Sequence, residues 1–386
     1  MLSRTLTLTD LVLIGIAAIM GSGGFNLIGT GVREGGALWP FALALSGILM
    51  LGSSFTYADA FARFHSNTSE SNSIRAAFGP VAETVGSFSI LFYNLASIIV
   101  ILVLCANMIL PNGSWFAQVG FTISALAGMS AVALCGMELD KQLITLVAWV
   151  LIGLLGFAAL LGLLGGITGP TPVFRSPNLM TSVLMFFFVL AGFDNIMKFA
   201  EEAKDDVVVP HAFYLSNTVS ILLTTGVAAA IMYWVPVARQ DEGALATLFT
   251  TFFGGSVAPI RFAIVAFLLV TIFVVFLATS RYLYSFGGEG SWLQETMGSG
   301  PGQGPGQQVP WAAIATVFGS GSVLALLNNT HHLVMITDIG FAVIASLVAS
   351  SVAVTNWNEE KLGAAAISGA TATGFVGLIA AAFLSA

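Results

Sequence analysis

Two stretches of this sequence put polar or conformationally weak residues inside apolar runs. The first is Leu11–Thr30, LVLIGIAAIMGSGGFNLIGT. It is long enough to cross a bilayer, since about 20 helical residues span the hydrocarbon. At its centre stand Gly21, Ser22, Gly23 and Gly24, where glycine weakens a helix most. A break there opens backbone N–H groups at membrane depth, which is tolerated only beside a cavity or a bound group. Such groups at a half-helix N-terminus attract an anion. Ser22, Gly23 and Gly24 are therefore the predicted seat of a carboxylate, against the alternative that the glycines serve close helix packing.

The second stretch is MFFFVLAGFDNIMKFAEEAKDD, Met185–Asp206. Gly192 lies well inside an apolar span and is followed by Asp194 and Asn195, a pair suited to capping a helix that restarts. An ionisable group within a span is a functional candidate by default, so Asp194 carries two readings, gating and capping. Glu201 and Glu202 are expected to pair with Arg75 or Arg281. Asp10 and Asp338 are read as capping or packing groups.

The elements that must hold these residues are membrane helices. Of 386 residues, 57% are hydrophobic and 8% charged, against about 25% charged in soluble domains. Apolar windows predict eleven helices, near 11–30, 39–61, 80–110, 116–137, 142–166, 179–200, 212–237, 256–287, 311–327, 332–355 and 363–385. The segment 297–310, MGSGPGQGPGQQVP, reads as a linker. No cleavable leader is expected, because no small-residue cleavage site follows a short apolar core.

Charge and composition remove other classes. A net charge of −7 argues against nucleic acid, which needs clustered basic residues. Cys105 and Cys135 fall in apolar runs and suggest neither disulfide nor metal site. His65, His211, His331 and His332 fall at span ends or in loops, so an intramembrane enzyme lacks its cluster of catalytic groups. Arg4, Arg63, Arg75, Lys141, Lys198, Lys204, Arg281 and Lys361 fall on the N-terminal side, and Arg33, Arg175, Arg239 and Arg261 opposite. This bias favours a cytoplasmic N-terminus.

Interrupted helices at matching positions, first and sixth, are the mark of inverted repeats. The expected fold is an all-α polytopic membrane protein of the five-plus-five, leucine-transporter-like kind. Repeat one runs from about 8 to 166, repeat two from about 179 to 355, and an extra helix covers about 363–385.

Four blocks carry a family resemblance: TLTDLVLIGIAAIMGSGGF at 7–25, SFTYADAFARF with IRAAFGP at 54–64 and 74–80, FVLAGFDNIMKFAEEAKDD at 188–206, and ATSRYLYSFGGEG at 278–290. In order and at these spans, they make the sequence similar to the amino acid–polyamine–organocation (APC) transporter superfamily, in particular its amino acid permeases. Gly24, Asp59, Asp205–Asp206 and His211 depart from the family's usual residues.

The resemblance implies a secondary transporter of the cell membrane, working by alternating access. An α-amino acid would lie between the first and sixth spans, its carboxylate at Ser22, Gly23 and Gly24 and its ammonium at carbonyls of Phe188, Val189 and Ala191. Ile19, Met20, Phe188 and Leu190 would line the pocket, with Phe188 as an aromatic gate. In sodium-coupled relatives the ion sits where this chain has the carbonyls of Ala17 and Met20 and the hydroxyls of Thr279 and Ser280. Some proton-coupled relatives place a fifth-span lysine there, which here corresponds to Trp149 or Val150. No cofactor is implied beyond a coupling Na+ or H+. A polyamine or other organic cation is the alternative substrate, but Asp194 is the only acid that the sequence puts near the pocket. A non-transporting membrane sensor is the alternative role.

Overall fold

Thr7 and Asp10 start the first helix by capping each other. The Thr7 backbone donates to the Asp10 carboxylate at 2.8 Å, and the Asp10 backbone donates to the Thr7 hydroxyl at 3.3 Å, which satisfies two of the N–H groups every helix start leaves open. The computed structural model describes residues 4–20, 25–110, 112–135, 137–169, 172, 176–240, 243–254, 256–285, 296, 310–328 and 330–385. Ser22, Gly23 and Gly24 lie outside these residues, as does the predicted linker up to Val309.

Helix α1 is Leu8–Ile19 and α2 is Phe25–Gly35; the predicted break at Gly21–Gly24 falls between them, outside the described residues. A single 3-10 turn leads into α3, Trp39–Phe64. Pro40 stands in the first turn of α3, where the missing N–H has no partner to lose. His65, in the left-handed region, ends α3. A short helix that the apolar windows do not predict, α4 (Ser69–Phe78), follows. At Gly79 the backbone takes φ +87° and turns the chain into α5, Pro80–Ile109.

The chain continues as α6 (Trp115–Ala133), α7 (Met137–Thr168) and α8 (Leu179–Leu190). There the sixth span breaks too. Ala191 is extended and Gly192 has φ +114°, after which a 3-10 helix runs over Phe193–Glu202. Helix α9 is Val208–Trp234, α10 Ala244–Phe253 and α11 Val257–Ser285. The last three are α12 (Trp311–Ala325), α13 (Thr330–Asn358) and α14 (Leu362–Ser385).

All eleven predicted spans find a helix. Nine helical segments among the described residues are long and apolar enough to cross a membrane. Helix α10 is the second element that the apolar windows miss; at ten residues it is too short to show as a span. Large apolar side chains such as Phe41, Ile48, Phe88, Phe116, Leu163 and Ile167 point outward, as a lipid-facing surface requires. Trp149 and Val150 are on this outer surface as well, so neither takes an interior fifth-span position.

The interior is organised around the 3-10 helix, which packs against α1, α3, α9 and α11. Its residues Phe193 to Ala200 are all buried. On the side where the N-terminus lies, residues 4–6 are stitched to the chain just after this helix. Leu6 pairs with Ala203 in an isolated parallel bridge, and the backbone of Lys204 donates to Leu6 at 2.8 Å.

Candidate functional site

A cavity sits at the break of the sixth span. Its floor is Phe188, Ala191, Gly192 and Asn195; Tyr93, Asn94 and Ser97 of α5 face them, and Val275 of α11 with Thr337, Asp338 and Phe341 of α13 close it. Measured for the centre of a water-sized sphere, it holds about 10 Å³, room for a single water. Admission of anything the size of an amino acid requires the surrounding helices to separate.

The break has a local cause. The Ala191 N–H reaches back to the carbonyls of Phe187 and Phe188 at 3.1 and 3.2 Å, closing the last turn of α8. Gly192 then adopts a backbone conformation that other residues avoid. Asn195 folds back and donates both its backbone and its side-chain N–H to the Gly192 carbonyl, at 3.2 and 2.8 Å. Asp194 makes no cap. The capping reading fails because its carboxylate is engaged elsewhere, as the acceptor of the Tyr93 hydroxyl and the partner of Lys198.

The cavity wall is polar in an unusual way. Among the described residues, Asn94 has neither Nδ2 nor Oδ1 hydrogen-bonded and Asn195 Oδ1 is likewise buried without a partner, as is Asp194 Oδ1 outside the lining. Leaving a buried polar group unpaired costs about 1–3 kcal/mol, so folded proteins seldom keep several together. Asp338 adds a buried carboxyl to the same wall. This corrects the expectation that Asp194 is the only acid near the pocket. Asp338 belongs to the tenth predicted span, and nothing in the sequence places that span beside the sixth-span break.

Of the residues predicted to bind substrate, Phe188 and Ala191 line the cavity, while Ile19 and Val189 are buried outside its lining. The Phe188 carbonyl accepts from Ala191 rather than standing open. Phe186 and Phe187 are buried outside the lining and pack against Trp39 and Phe341 respectively. In the predicted sodium set, the Ala17 carbonyl accepts the Met20 N–H. The hydroxyls of Thr279 and Ser280 donate to Val275 and Leu277 of their own helix, at 2.7 and 2.8 Å. Each hydroxyl oxygen keeps lone pairs for a further contact.

Below the cavity lies a cluster that the sequence did not reveal. Lys198 Nζ is 2.6 Å from Glu70 Oε1 and 3.1 Å from Asp194 Oδ2, with all three side chains fully shielded. The ammonium also lies 5.4 Å from the centre of the Tyr282 ring and donates to the Asp194 carbonyl at 3.3 Å. Glu70 comes from α4, in the stretch TSESNSIRAAF, which reads as a solvated loop. A fully buried lysine, four residues after an aspartate on one helical face, was the signal available.

A second layer of ion pairs closes the N-terminal side. Glu202 pairs with Arg281 at 2.6 Å, as expected. Glu201 instead accepts from the Asn67 backbone and the Ser66 hydroxyl, and Arg75 pairs with Glu83 at 3.3 Å. Arg63 joins α3 to the end of α13 through Asp59, Asn356 and Glu359. Arg4 meets Asp206 at 2.6 Å.

Comparison with known proteins agrees with this architecture. Among solved structures, the chain is similar to MhsT in complex with L-phenylalanine, with a TM-score of 0.64 and 13% identity over 97% of this chain and 98% of that one. It is similar to Mhp1, a nucleobase-cation-symport-1 family transporter in a closed conformation with bromovinylhydantoin bound, with a TM-score of 0.59 and 14% identity over 99% and 91%. A Na+-coupled sialic acid symporter in a substrate-bound outward-open state gives a TM-score of 0.59 and 12% identity over 100% and 91%. None of the curated protein sequences compared with the chain matches it. These likenesses establish the fold. The model of the family described as "Amino acid permease" matches residues 6–386, so the chain belongs to that family, within the APC superfamily, and is an integral membrane protein of the secondary-transporter type.

Proposed function

We propose that this permease carries α-amino acids across the cell membrane by alternating access, with the substrate held at the paired breaks of the first and sixth spans. The observation that supports this most is the cavity at Gly192, whose wall carries several buried polar atoms without partners. A zwitterion has both donors and acceptors to offer them. Its carboxylate suits the N-terminal end of α2, where Ser22, Gly23 and Gly24 precede the helix, because the dipole there favours an anion. Its ammonium suits the carbonyl end of α8 around Phe188, Val189 and Ala191.

On this reading the ion pairs at the N-terminal side, which is taken as cytoplasmic, are the closed gate. One helical bundle rocks against the other to open either side in turn. The test is uptake of radiolabelled L-amino acids into vesicles containing the purified protein. Saturable uptake competed by unlabelled amino acid is expected, and uptake no greater than in empty vesicles refutes the reading. Replacing sodium by choline in the same assay tests the site at Ala17, Met20, Thr279 and Ser280.

A second substrate class is favoured by Asp338 alone. A buried carboxyl on the cavity wall is a counter-charge for a second ammonium group, as in a basic amino acid or a polyamine. Competition by diamines that is lost in Asp338→Asn supports this class, and indifference to diamines removes it.

A further inference from the structure

We propose that Glu70, Lys198 and Asp194 together form a proton-binding site, loaded when the cavity is closed and emptied when the N-terminal side opens. The proposal rests on the transport reading above for its coupling to substrate. The site itself stands on geometry.

Two carboxylates face one ammonium here, all three fully buried. Fully ionised, the triad carries a net charge of −1 in a low-dielectric interior. An uncompensated buried charge is costly enough that the group neutralises instead. One proton held by either carboxylate makes the triad neutral.

Among the described residues, no other cation is placed to do this. From α3, Tyr57 faces the site; from α4, Glu70 and Ser71; from α5, Tyr93; and from α11, Tyr282. Glu83 of α5 acts on Tyr282 from further away. Arg281 lies nearby but is paired with Glu202, and Asp338 is acidic and across the cavity. The carboxylate atoms also leave room for the hydrogen. Glu70 Oε1 meets the Lys198 ammonium at 2.6 Å, and Asp194 Oδ1 has no hydrogen-bond partner among the described residues. Glu70 lies on α4, outside the spanning helices. Burial pushes its carboxyl above the usual range, Lys198 pulls it back, and the charge of Asp194 adds to the rise.

The site is wired to the cavity on one side and to the gate on the other. Tyr93 lines the cavity and donates to Asp194, which stands two residues after Gly192. Glu70 belongs to α4, which packs against α3, α5 and α13, whereas Lys198 and Asp194 ride on the 3-10 helix. The two parts of the triad therefore belong to different halves of the chain. When the 3-10 helix moves away from α4, Lys198 and Asp194 remain a neutral pair, and Glu70 is left alone beside water. Its O–H bond breaks, the proton passes to water, and the carboxylate is solvated.

Infrared difference spectroscopy on the purified full-length protein reads the proton directly, as the carbonyl stretch of a protonated carboxylic acid at neutral pH. Removing either carboxylate leaves a neutral pair with Lys198. The band is therefore expected to vanish in Glu70→Gln and in Asp194→Asn, and to persist in Asp338→Asn. Absence of the band in the unaltered protein, or its loss only in Asp338→Asn, overturns the proposal.

The coupling is read in vesicles with a mixture of radiolabelled L-amino acids. For one proton per substrate, an acid-outside gradient of one pH unit drives about tenfold accumulation. Glu70→Gln is expected to abolish that accumulation while retaining exchange of label across the membrane. Accumulation driven by sodium and indifferent to the pH gradient overturns the coupling. If the band behaves as expected and no amino acid moves under any gradient, the proton site stands and the transport reading falls.

Discussion

Gly192 sits directly against the Ala18 carbonyl: a Cβ placed on it would come within 2.9 Å of that oxygen. The end of α1 and the break of the sixth span therefore touch through bare backbone, at a residue whose φ is +114°. Both facts weigh against any side chain here.

Gly192→Ala is expected to lose uptake and to destabilise the fold by about 1–3 kcal/mol from backbone strain alone. Thermal unfolding read beside uptake checks this. A variant with unchanged melting temperature and unchanged uptake contradicts the contact.

Asn94→Leu should separate stability from function. It removes two buried polar atoms that have no partners, each costing about 1–3 kcal/mol. The variant is expected to melt at or above the temperature of the parent protein and to bind no substrate. A clear drop in melting temperature would mean that Asn94 is needed for the fold itself.

Glu202→Gln removes the carboxylate charge that faces a shielded guanidinium, since Arg281 and Glu202 are 5% and 2% exposed. The expected loss is about 3–5 kcal/mol. Joint replacement, Arg281→Met with Glu202→Leu, is expected to restore most of it, because no charge is then left buried. Arg281 also stacks on Phe199 at 4.6 Å, a contact that methionine partly keeps. Equal destabilisation in the single and double variants counts against this account.

The latch at Arg63 should respond to acid. Hydrogen bonds from Arg63, then Lys361, pull the Glu359 carboxyl from its ordinary 4.5 down to about 2. A depressed carboxyl contributes stability above its ordinary value and loses it as pH falls towards the folded one. The Arg63–Glu359 contact is therefore expected to weaken between about pH 4.5 and 2, and Glu359→Gln to flatten the response there. Distance measurements between spin labels on the neighbouring ends of α3 and α13, taken across that range, report it.

Much of this architecture could be read from residues in order. Gly192 inside an apolar run marked the sixth-span break, because glycine weakens a helix and takes the positive φ found there. The buried triad was invisible for a different reason. Glu70 sits in a stretch of serines, asparagine and threonine that reads as a surface loop, and only tertiary packing brings it beneath the cavity. Asp338 was read as a capping or packing group, because nothing in the sequence places its helix opposite the sixth-span break. Of the two readings of Asp194 the cap is not realised, since capping depends on side-chain direction, which sequence spacing does not carry.

The small parallel bridge between Leu6 and Ala203 ties the lead-in to α1 to the exit of the 3-10 helix. With Gly192 resting on Ala18 at the other end, the two interrupted spans are fastened to each other above and below. They must then travel as one piece, so the motion that admits a solute is a displacement of this doubly pinned pair within the surrounding cage.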